Sequence, residues 1–372
     1  MNQRKSTKNP SRIAQGAGLV TGIGALAVGA VAAGFEIERR VIGQIFKKNR
    51  ELLPEPEPFF TLRAPGPDVV TRDGVKLHVE VDHPDPRLPL AERGVTIVMV
   101  HGYVLSLHCW HFMRKHFRGR HKIVLYDQRS HGRSGRSAAK RSRVRQLARD
   151  LKLILDETTA ENEPVVLMGH SMGGMTIMEF AARYPELIGT KVVGVGLLNT
   201  AGGNMGNHSI VKGIPGELFP RLVEPLMAGL NRIPAVVEKS RKASSDVAFV
   251  VTRRGGFGSQ VPGEYVDFLS EMIAVTPLDV VADFYPAFAE FDGAKGLARL
   301  TAIETAVIAG ETDQIIPVEH AHRILEALPG AESLIVPDSG HMGMIEHHEA
   351  YNAVLQSLVD RAERTIRERN GD

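Results

Sequence analysis

The segment around Ser171 constrains the fold of this chain more than any other. An apolar run at residues 164–168 predicts a buried strand, and a helical pattern then runs from Met172 until Pro185 ends it. Between them the sequence reads Gly-His-Ser-Met-Gly at residues 169–173. Such a sharp turn strains the serine backbone and crowds the positions two residues before and after it, where glycine avoids collisions. We therefore predict that Ser171 presents its hydroxyl as a nucleophile on a strand-to-helix turn.

Two further polar residues follow predicted strands and could act with Ser171. A strand predicted at residues 302–309 precedes Asp313, and another at 333–336 precedes His341. The carboxyl ends of parallel strands meet at one edge of an open sheet, so we expect these side chains at that edge. We predict that His341 is the general base and that Asp313 orients it.

The acidic role has one nearby competitor. Glu311 lies closer to the end of its strand and is less well placed to point into a cleft. The other usual position for an acid follows the strand predicted at residues 192–198, where the sequence reads Asn199-Thr200 and offers no carboxylate. Asp313 is therefore the preferred acid.

Backbone N–H groups are expected to form the oxyanion hole. One belongs to Met172, which begins the helix, and the other to Tyr103, in the loop after the strand predicted at residues 95–100. The glycine before Tyr103 lets this loop approach the substrate closely. Residues predicted to border the substrate are His101, Gly102 and Met342. His101 is better explained as a structural hydrogen-bonding residue than as a second base.

These motifs together resemble the α/β-hydrolase superfamily, and especially its branch of serine esterases, lipases and cofactor-free haloperoxidases. The resemblance covers residues 68–362 and rests on His101-Gly102, Tyr126-Asp127-Gln128-Arg129-Ser130-His131-Gly132-Arg133-Ser134, the Ser171 turn, Gly310-Glu311-Thr312-Asp313 and Gly340-His341. Ser130 departs from the pattern, because relatives usually carry glycine there. The resemblance implies hydrolysis through an acyl-enzyme on Ser171, without a cofactor.

The alternation of strands and helices also predicts an α/β fold with a mostly parallel, doubly wound sheet. Residues 69–71 and 75–81 read as two strands joined by a tight turn, which would form its antiparallel edge. Residues 202–300 interrupt the alternation with helical segments and predict a helical cap over the active site. Aromatic residues of this stretch could line an acyl pocket, although most are expected in the cap core; they are Phe257, Phe268, Phe284, Tyr285 and Phe288.

The function that these features favour is hydrolysis of carboxylic esters, and the membrane-like N-terminus and apolar cap favour a lipid ester over a small-molecule ester. A serine nucleophile argues against dehalogenases and epoxide hydrolases of this fold, which use aspartate. It leaves open a cofactor-free haloperoxidase, a C–C-bond hydrolase or a thioester hydrolase with the same three residues. A second class is a non-catalytic binding protein of this fold, which the intact Ser171, Asp313 and His341 disfavour.

Composition excludes several other classes. The 372-residue chain has a net charge of +2, which provides no global field for binding nucleic acid. The single cysteine, Cys109, rules out an intrachain disulfide. We predict no metal site, because His347 and His348 lack carboxylates at ligand spacing. No dinucleotide or phosphate-loop motif follows a predicted strand.

The N-terminal region predicts membrane association. Residues 1–53 are basic except for 13–35, which carry no charge and would span roughly 34 Å as a helix. A membrane anchor is the first interpretation; a signal peptide cleaved near residues 30–32 and a buried or peripheral helix stay open. We therefore expect the protein at a membrane or exported to the cell envelope. Small residues at every fourth position would allow such helices to form a homo-oligomer, while a merely Ala/Gly-rich composition stays open as the alternative explanation. A Pro-rich linker at residues 54–67 would lead to a hydrolase domain at 68–372.

Residues 129–149 are dense in arginine and lysine. The simpler interpretation is a solvated loop and helix face. The alternative is a patch that meets anionic lipid or an acidic substrate.

Overall fold

A seven-stranded sheet forms the centre of the protein in the computed structural model, which describes residues 56–89, 94–203 and 252–371. Its strands, in order across the sheet, are Val79–Asp82 (β3), Ile123–Tyr126 (β5), Thr96–Val100 (β4), Val165–His170 (β6), Val192–Leu198 (β7), Glu304–Gly310 (β8) and Glu332–Val336 (β9). β3 pairs antiparallel with β5, and every other pair in this sheet is parallel. The predicted α/β class and mostly parallel sheet are confirmed.

The predicted antiparallel edge is right only for β3. Val69–Val70 (β1) and Lys76–Leu77 (β2) pair with each other in a separate two-stranded sheet. The tight turn between them contains Gly74, whose φ of +82° favours glycine. This small sheet therefore lies outside the main sheet that carries the predicted site.

Helices cover both faces of the main sheet. They are His111–Phe117 (α1), Val144–Thr158 (α2), Met172–Arg183 (α3), Gly263–Val275 (α4), Leu278–Glu290 (α5), Ala294–Leu300 (α6), Glu319–Ala327 (α7), Gly343–Glu346 (α8) and His348–Asn370 (α9). α3 packs against α2 and α6, whereas α9 packs against α1 and the strands β7 to β9. The sheet is therefore doubly wound, as predicted.

Alternation along the strands divides the core into two layers. In β4, Val98 and Val100 contribute to the apolar cluster that contains α3, and Ile97 and Met99 contribute to the cluster that contains α9. All five β4 residues are buried. A parallel strand covered on both faces needs such a continuous apolar run, which explains why the sequence pattern was informative.

The described part of the region predicted as a cap is mostly helical. Residues 204–251 lie outside the described residues, and α4 and α5 follow. Gly203 and Asp292 form an antiparallel bridge that closes the base of this insertion. α6 does not belong to the cap, because it packs on α3 so closely that a Cβ on Gly296 would lie 1.9 Å from the Met178 carbonyl oxygen. The insertion thus ends near residue 292 rather than 300.

The segment predicted as a linker packs against the core of the folded domain. Phe59 stacks on Phe268 of α4 with 4.0 Å between ring centroids, and Phe60 meets the same ring edge-on at 4.7 Å. The Val81 N–H donates to the Pro65 carbonyl at 3.0 Å, and the Arg114 guanidinium donates to the carbonyl oxygen of residue 62 at 3.1 Å. Residues 57–65 are therefore part of the folded domain, which begins before Asp68.

The hydrophobic stretch at residues 13–35 lies outside the described residues. Within the described ranges, no single helix has the length and apolar character needed to cross a membrane. Among the described helices, α4 and most of α5, bent by 95° at their junction, are the single pair that reaches those limits when taken together.

The first residues of the basic stretch are not solvated as expected. Arg129 is fully buried, and its guanidinium donates to Asp150 and, at 3.0 Å, to Asp73. Next to it, Ser130 adopts a φ of +65°, the left-handed conformation that suits the glycine of the resembled motif. The Ser130 hydroxyl oxygen accepts the Ser137 N–H at 2.9 Å and helps to hold this turn.

Replacing Arg129 with methionine is expected to lower the free energy of unfolding by about 3–5 kcal/mol, because Asp150 would stay buried without its cation. Burial already raises the pKa of Asp150 despite Arg129. Urea denaturation would measure the change, with the exposed Arg133→Met as control. Arg129→Met/Asp150→Leu should recover much of the loss. Equal stability of the two single variants would contradict this interpretation.

Candidate active site

Ser171 occupies the strained turn that the sequence predicts. It lies between β6 and α3 with φ 53° and ψ −119°. Its N–H donates to the Leu198 carbonyl at 2.9 Å, and its carbonyl accepts the Thr200 hydroxyl at 2.7 Å. These bonds to the end of β7 stabilise a conformation that costs roughly 1–3 kcal/mol in isolation.

The two glycines flanking Ser171 are there for the steric reason expected. A Cβ on Gly173 would lie 2.0 Å from the Val100 carbonyl oxygen, and one on Gly169 would lie 2.6 Å from Ile177 Cδ1. α3 therefore starts directly against the end of β4. Met172 is its first residue, so helix geometry gives its N–H no partner within the helix.

His341 and Asp313 form a buried pair. His341 Nδ1 lies 2.8 Å from Asp313 Oδ2. The other carboxylate oxygen accepts the N–H groups of Ile315 and Ile316 at 2.8 and 2.9 Å. Burial alone would raise the pKa of Asp313, but the charge of His341 and these hydrogen bonds outweigh burial, so its pKa lies below the ordinary value. Asp313 therefore stays ionised and can stabilise a protonated His341.

Asn199 completes this arrangement and was not predicted as a site residue. Its amide donates to Asp313 Oδ2 at 3.1 Å and to the Gly340 carbonyl at 3.2 Å. The Tyr351 hydroxyl donates to Asn199 Oδ1 at 2.7 Å, which fixes the orientation of the amide. Asn199 follows the buried strand β7, so the rule that identified Asp313 could have identified it too.

His170 links the His341 loop to the serine turn. Its Nε2 donates to the His341 carbonyl at 2.9 Å, and the two rings lie 4.8 Å apart. Burial, followed by the nearby His341, lowers the pKa of His170 to about 3, so the ring is neutral at pH 7. This bond holds His341 beside the residue that precedes Ser171.

Glu346 holds the same loop from the other side. Its buried carboxylate accepts the N–H groups of Gly340 at 2.8 Å, Gly258 at 3.1 Å and Ser259. It thus joins the loop before His341 to the residues that precede α4. No sequence motif signalled this contact, because its partners are backbone groups distant in the chain.

The structure corrects the prediction that the His101 side chain borders the substrate. This side chain is completely buried; Nε2 accepts the Gln128 N–H at 2.8 Å, and Nδ1 donates to the Gly102 carbonyl at 2.7 Å. Burial, and then the proximity of His131, lowers the pKa of His101 to about 3. Its role is structural.

Gly102 lies against Ser171, whereas the side chain of Met342 is buried. A Cβ on Gly102 would lie 3.2 Å from Ser171 Cβ, so the loop after β4 passes directly beside the serine. The side chain of Met342 is 2% exposed and belongs to the core cluster that contains α9. Met342 is therefore a packing residue in this structure.

Tyr103 connects this loop to the cap. Its hydroxyl donates to the Val281 carbonyl in α5, and its ring meets Phe288 edge-on at 5.0 Å. The next residue, Val104, has a φ of 55°, so the chain turns sharply here. The loop that is predicted to supply an N–H donor to the oxyanion hole is thus attached to helix α5.

Most of the aromatic residues expected around an acyl pocket pack in the core. Phe257, Phe268, Phe284 and Phe288 are each less than a tenth exposed and belong to the two core clusters.

Within the described ranges, no group of three or more histidine, cysteine or acidic side chains is placed to hold a metal ion.

Comparison with known proteins agrees with this architecture. A model of the alpha/beta hydrolase family matches residues 97–354, which contain the serine turn, Asp313 and His341. The chain belongs to the alpha/beta hydrolase family. The predicted family resemblance is confirmed.

Individual relatives of this alpha/beta hydrolase are distant. A 2-hydroxy-6-oxononadienedioate/2-hydroxy-6-oxononatrienedioate hydrolase of Escherichia coli O81 is 23% identical over 72% of this chain and 88% of its own length. An esterase of Exiguobacterium antarcticum superposes with a TM-score of 0.61 at 19% identity, covering 80% of this chain and all of the other. A bromoperoxidase of Bacillus anthracis gives 0.61 at 18% identity, covering 79% and 98%.

Proposed function

We propose that this hydrolase cleaves carboxylic esters, with Ser171 as nucleophile, His341 as general base and Asp313 as the residue that orients His341. The observation that carries the proposal is the Asp313–His341 pair, which a hydrogen bond from His170, the residue before Ser171, to the His341 carbonyl ties to the serine turn. Asp313 holds the proton of His341 on Nδ1, so the other ring nitrogen is left to accept a proton from the serine.

The proposed reaction has two half-steps. Ser171 Oγ attacks the ester carbonyl carbon while His341 takes its proton, and the N–H groups of Met172 and Tyr103 stabilise the oxyanion. His341 then gives the proton to the departing alcohol. Water attacks the acyl-enzyme with His341 again as base, which releases the carboxylic acid and restores the serine.

A C–C-bond hydrolase is the second candidate. It is favoured by the Escherichia coli relative, whose name gives a 2-hydroxy-6-oxo dienedioate as substrate and which matches over 88% of its length. The same serine, histidine and aspartate could serve either reaction, since both need an activated nucleophile at a carbonyl. The substrate must therefore be determined by assay.

The experiment that separates the candidates is a turnover assay with the full chain. We expect hydrolysis of p-nitrophenyl esters, measured from acetate to palmitate. Rates that rise with acyl length would favour a lipid ester, and activity on acetate alone would favour a small ester. Cleavage of 2-hydroxy-6-oxononadienedioate without turnover of any ester would replace the ester proposal with the second candidate.

A further inference from the structure

A groove lined by basic side chains lies at the start of helix α2, apart from the serine site. It has a volume of about 510 Å³, and its lining residues are Lys140, Arg141, Arg143, Arg145, Gln146 and Arg149. Small-molecule sites commonly measure about 300–1,000 Å³. The groove is therefore large enough to hold a ligand of modest size.

The cations of this groove are poorly neutralised. Arg143 pairs with Glu290 at 3.2 Å, and Arg141 lies 3.8 Å from Asp73, a carboxylate that already pairs with the buried Arg129. The other three side chains, Lys140, Arg145 and Arg149, have no ion-pair partner among the residues that the structure describes. Five positive charges thus face one groove with two carboxylates beside it.

Helix α2 adds to this positive field. The N-terminus of a helix carries partial positive charge, and acidic residues usually occupy its first turn. Here the residue before the helix is Arg143, its side chain makes no cap hydrogen bond, and the first turn contains Arg145 and no acidic residue. This arrangement is repulsive, and a bound anion would relieve it.

Gln146 gives the groove a fixed floor. It is 8% exposed, and its Oε1 accepts Nη1 of Arg141 at 3.3 Å and Nη1 of Arg149 at 3.5 Å. Its amide donates to Asp150 at 3.2 Å, the same carboxylate that holds Arg129 in the core. Two guanidinium groups of the groove therefore share one buried hydrogen-bond acceptor, which orients them.

We propose that this groove binds a phosphate-bearing anion. Guanidinium groups bind phosphate oxygens through paired N–H donors, and several of them around one groove suit a group with three charged oxygens. The helix N-terminus adds backbone donors of the same kind. The phosphate can belong to a soluble phosphate ester or to a lipid headgroup, and the experiment distinguishes these sources.

Titration calorimetry of the full chain with pyrophosphate at low ionic strength tests the proposal. We expect saturable binding that Arg145→Gln/Arg149→Gln weakens by more than about tenfold, because each substitution removes a guanidinium that can donate charge-assisted hydrogen bonds to phosphate oxygens. The matched control is Arg364→Gln/Arg367→Gln, which removes the same charge from exposed positions on α9 and should bind as the wild type. Thermal melting would verify that all three proteins are folded.

Sedimentation with vesicles provides the second arm. Phosphatidylcholine vesicles with and without phosphatidic acid are compared for the same three proteins. The phosphate would be assigned to a lipid headgroup if the wild type binds vesicles only when they contain phosphatidic acid, does not bind pyrophosphate, and only the groove variant loses the vesicle binding. Absence of both kinds of binding would overturn the proposal. Equal binding by the groove variant and the control would overturn it as well, since the interaction would then depend only on net charge.

Discussion

Ser171→Ala is expected to lower kcat for the best ester or C–C substrate by roughly 10⁵–10⁶-fold, while the fold persists. Without the hydroxyl no acyl-enzyme can form, and only the oxyanion donors and substrate binding remain. The small side chain also suits the crowded turn, because Ser171 already adopts its φ of 53° with a Cβ. Steady-state kinetics and a thermal melt would establish the effect.

The control for this variant is Ser270→Ala, which removes a serine hydroxyl from α4 that has no hydrogen-bond partner among the described residues. Ser270→Ala should retain activity, and a fluorophosphonate probe should label it as it labels the wild type. Ser171→Ala should not be labelled. Labelling that persists in Ser171→Ala would assign the nucleophile elsewhere, and an unlabelled, inactive wild type would favour a non-catalytic binding protein.

Asp313→Asn is expected to lower kcat by about 10³–10⁴-fold, because an amide cannot stabilise the protonated His341 as a carboxylate does. The amide would also turn a donor toward either Asn199 or the N–H groups of residues 315 and 316, which all donate at present. His341 would then lose its fixed tautomer. Steady-state kinetics on the same substrate would measure this loss.

Glu311→Gln is the matched control for Asp313→Asn, because it makes the same chemical change two residues away. The side chain of Glu311 is exposed, and its N–H donates to the Val336 carbonyl. We expect its kcat to stay within about twofold of the wild type, since exposed substitutions rarely disturb a distant site. A larger loss in Glu311→Gln than in Asp313→Asn would show that the acid was assigned to the wrong residue.

The sequence was sufficient where the physical constraint was local. Gly169 and Gly173 follow from crowding around a turn, and the position of Asp313 follows from the end of a buried strand. Asn199 also follows a buried strand directly, but because it has no carboxylate, the sequence pattern did not mark its amide as part of the site. The hydrogen-bonding capacity of the polar residue after each buried strand therefore indicates a site residue as its charge does.

Long-range partners explain what the sequence did not predict. Arg129 is buried because it meets Asp73 and Asp150, which are 56 and 21 residues away. An arginine in a basic stretch without such partners would be exposed, which is why the sequence pattern predicted a solvated Arg129. His101 was expected near substrate on the basis of its motif, but burial depends on Gln128, 27 residues later in the chain. Pattern and spacing identify such residues without revealing which neighbours enclose them.

The packing of Phe59 and Phe60 has a consequence for the order in which the protein folds. Both rings pack on Phe268, which is synthesised about two hundred residues after them. Until α4 exists, both rings lack this apolar partner and are free to attract other chains. Phe59 and Phe60 therefore complete their packing only when helix α4 of the cap has been synthesised.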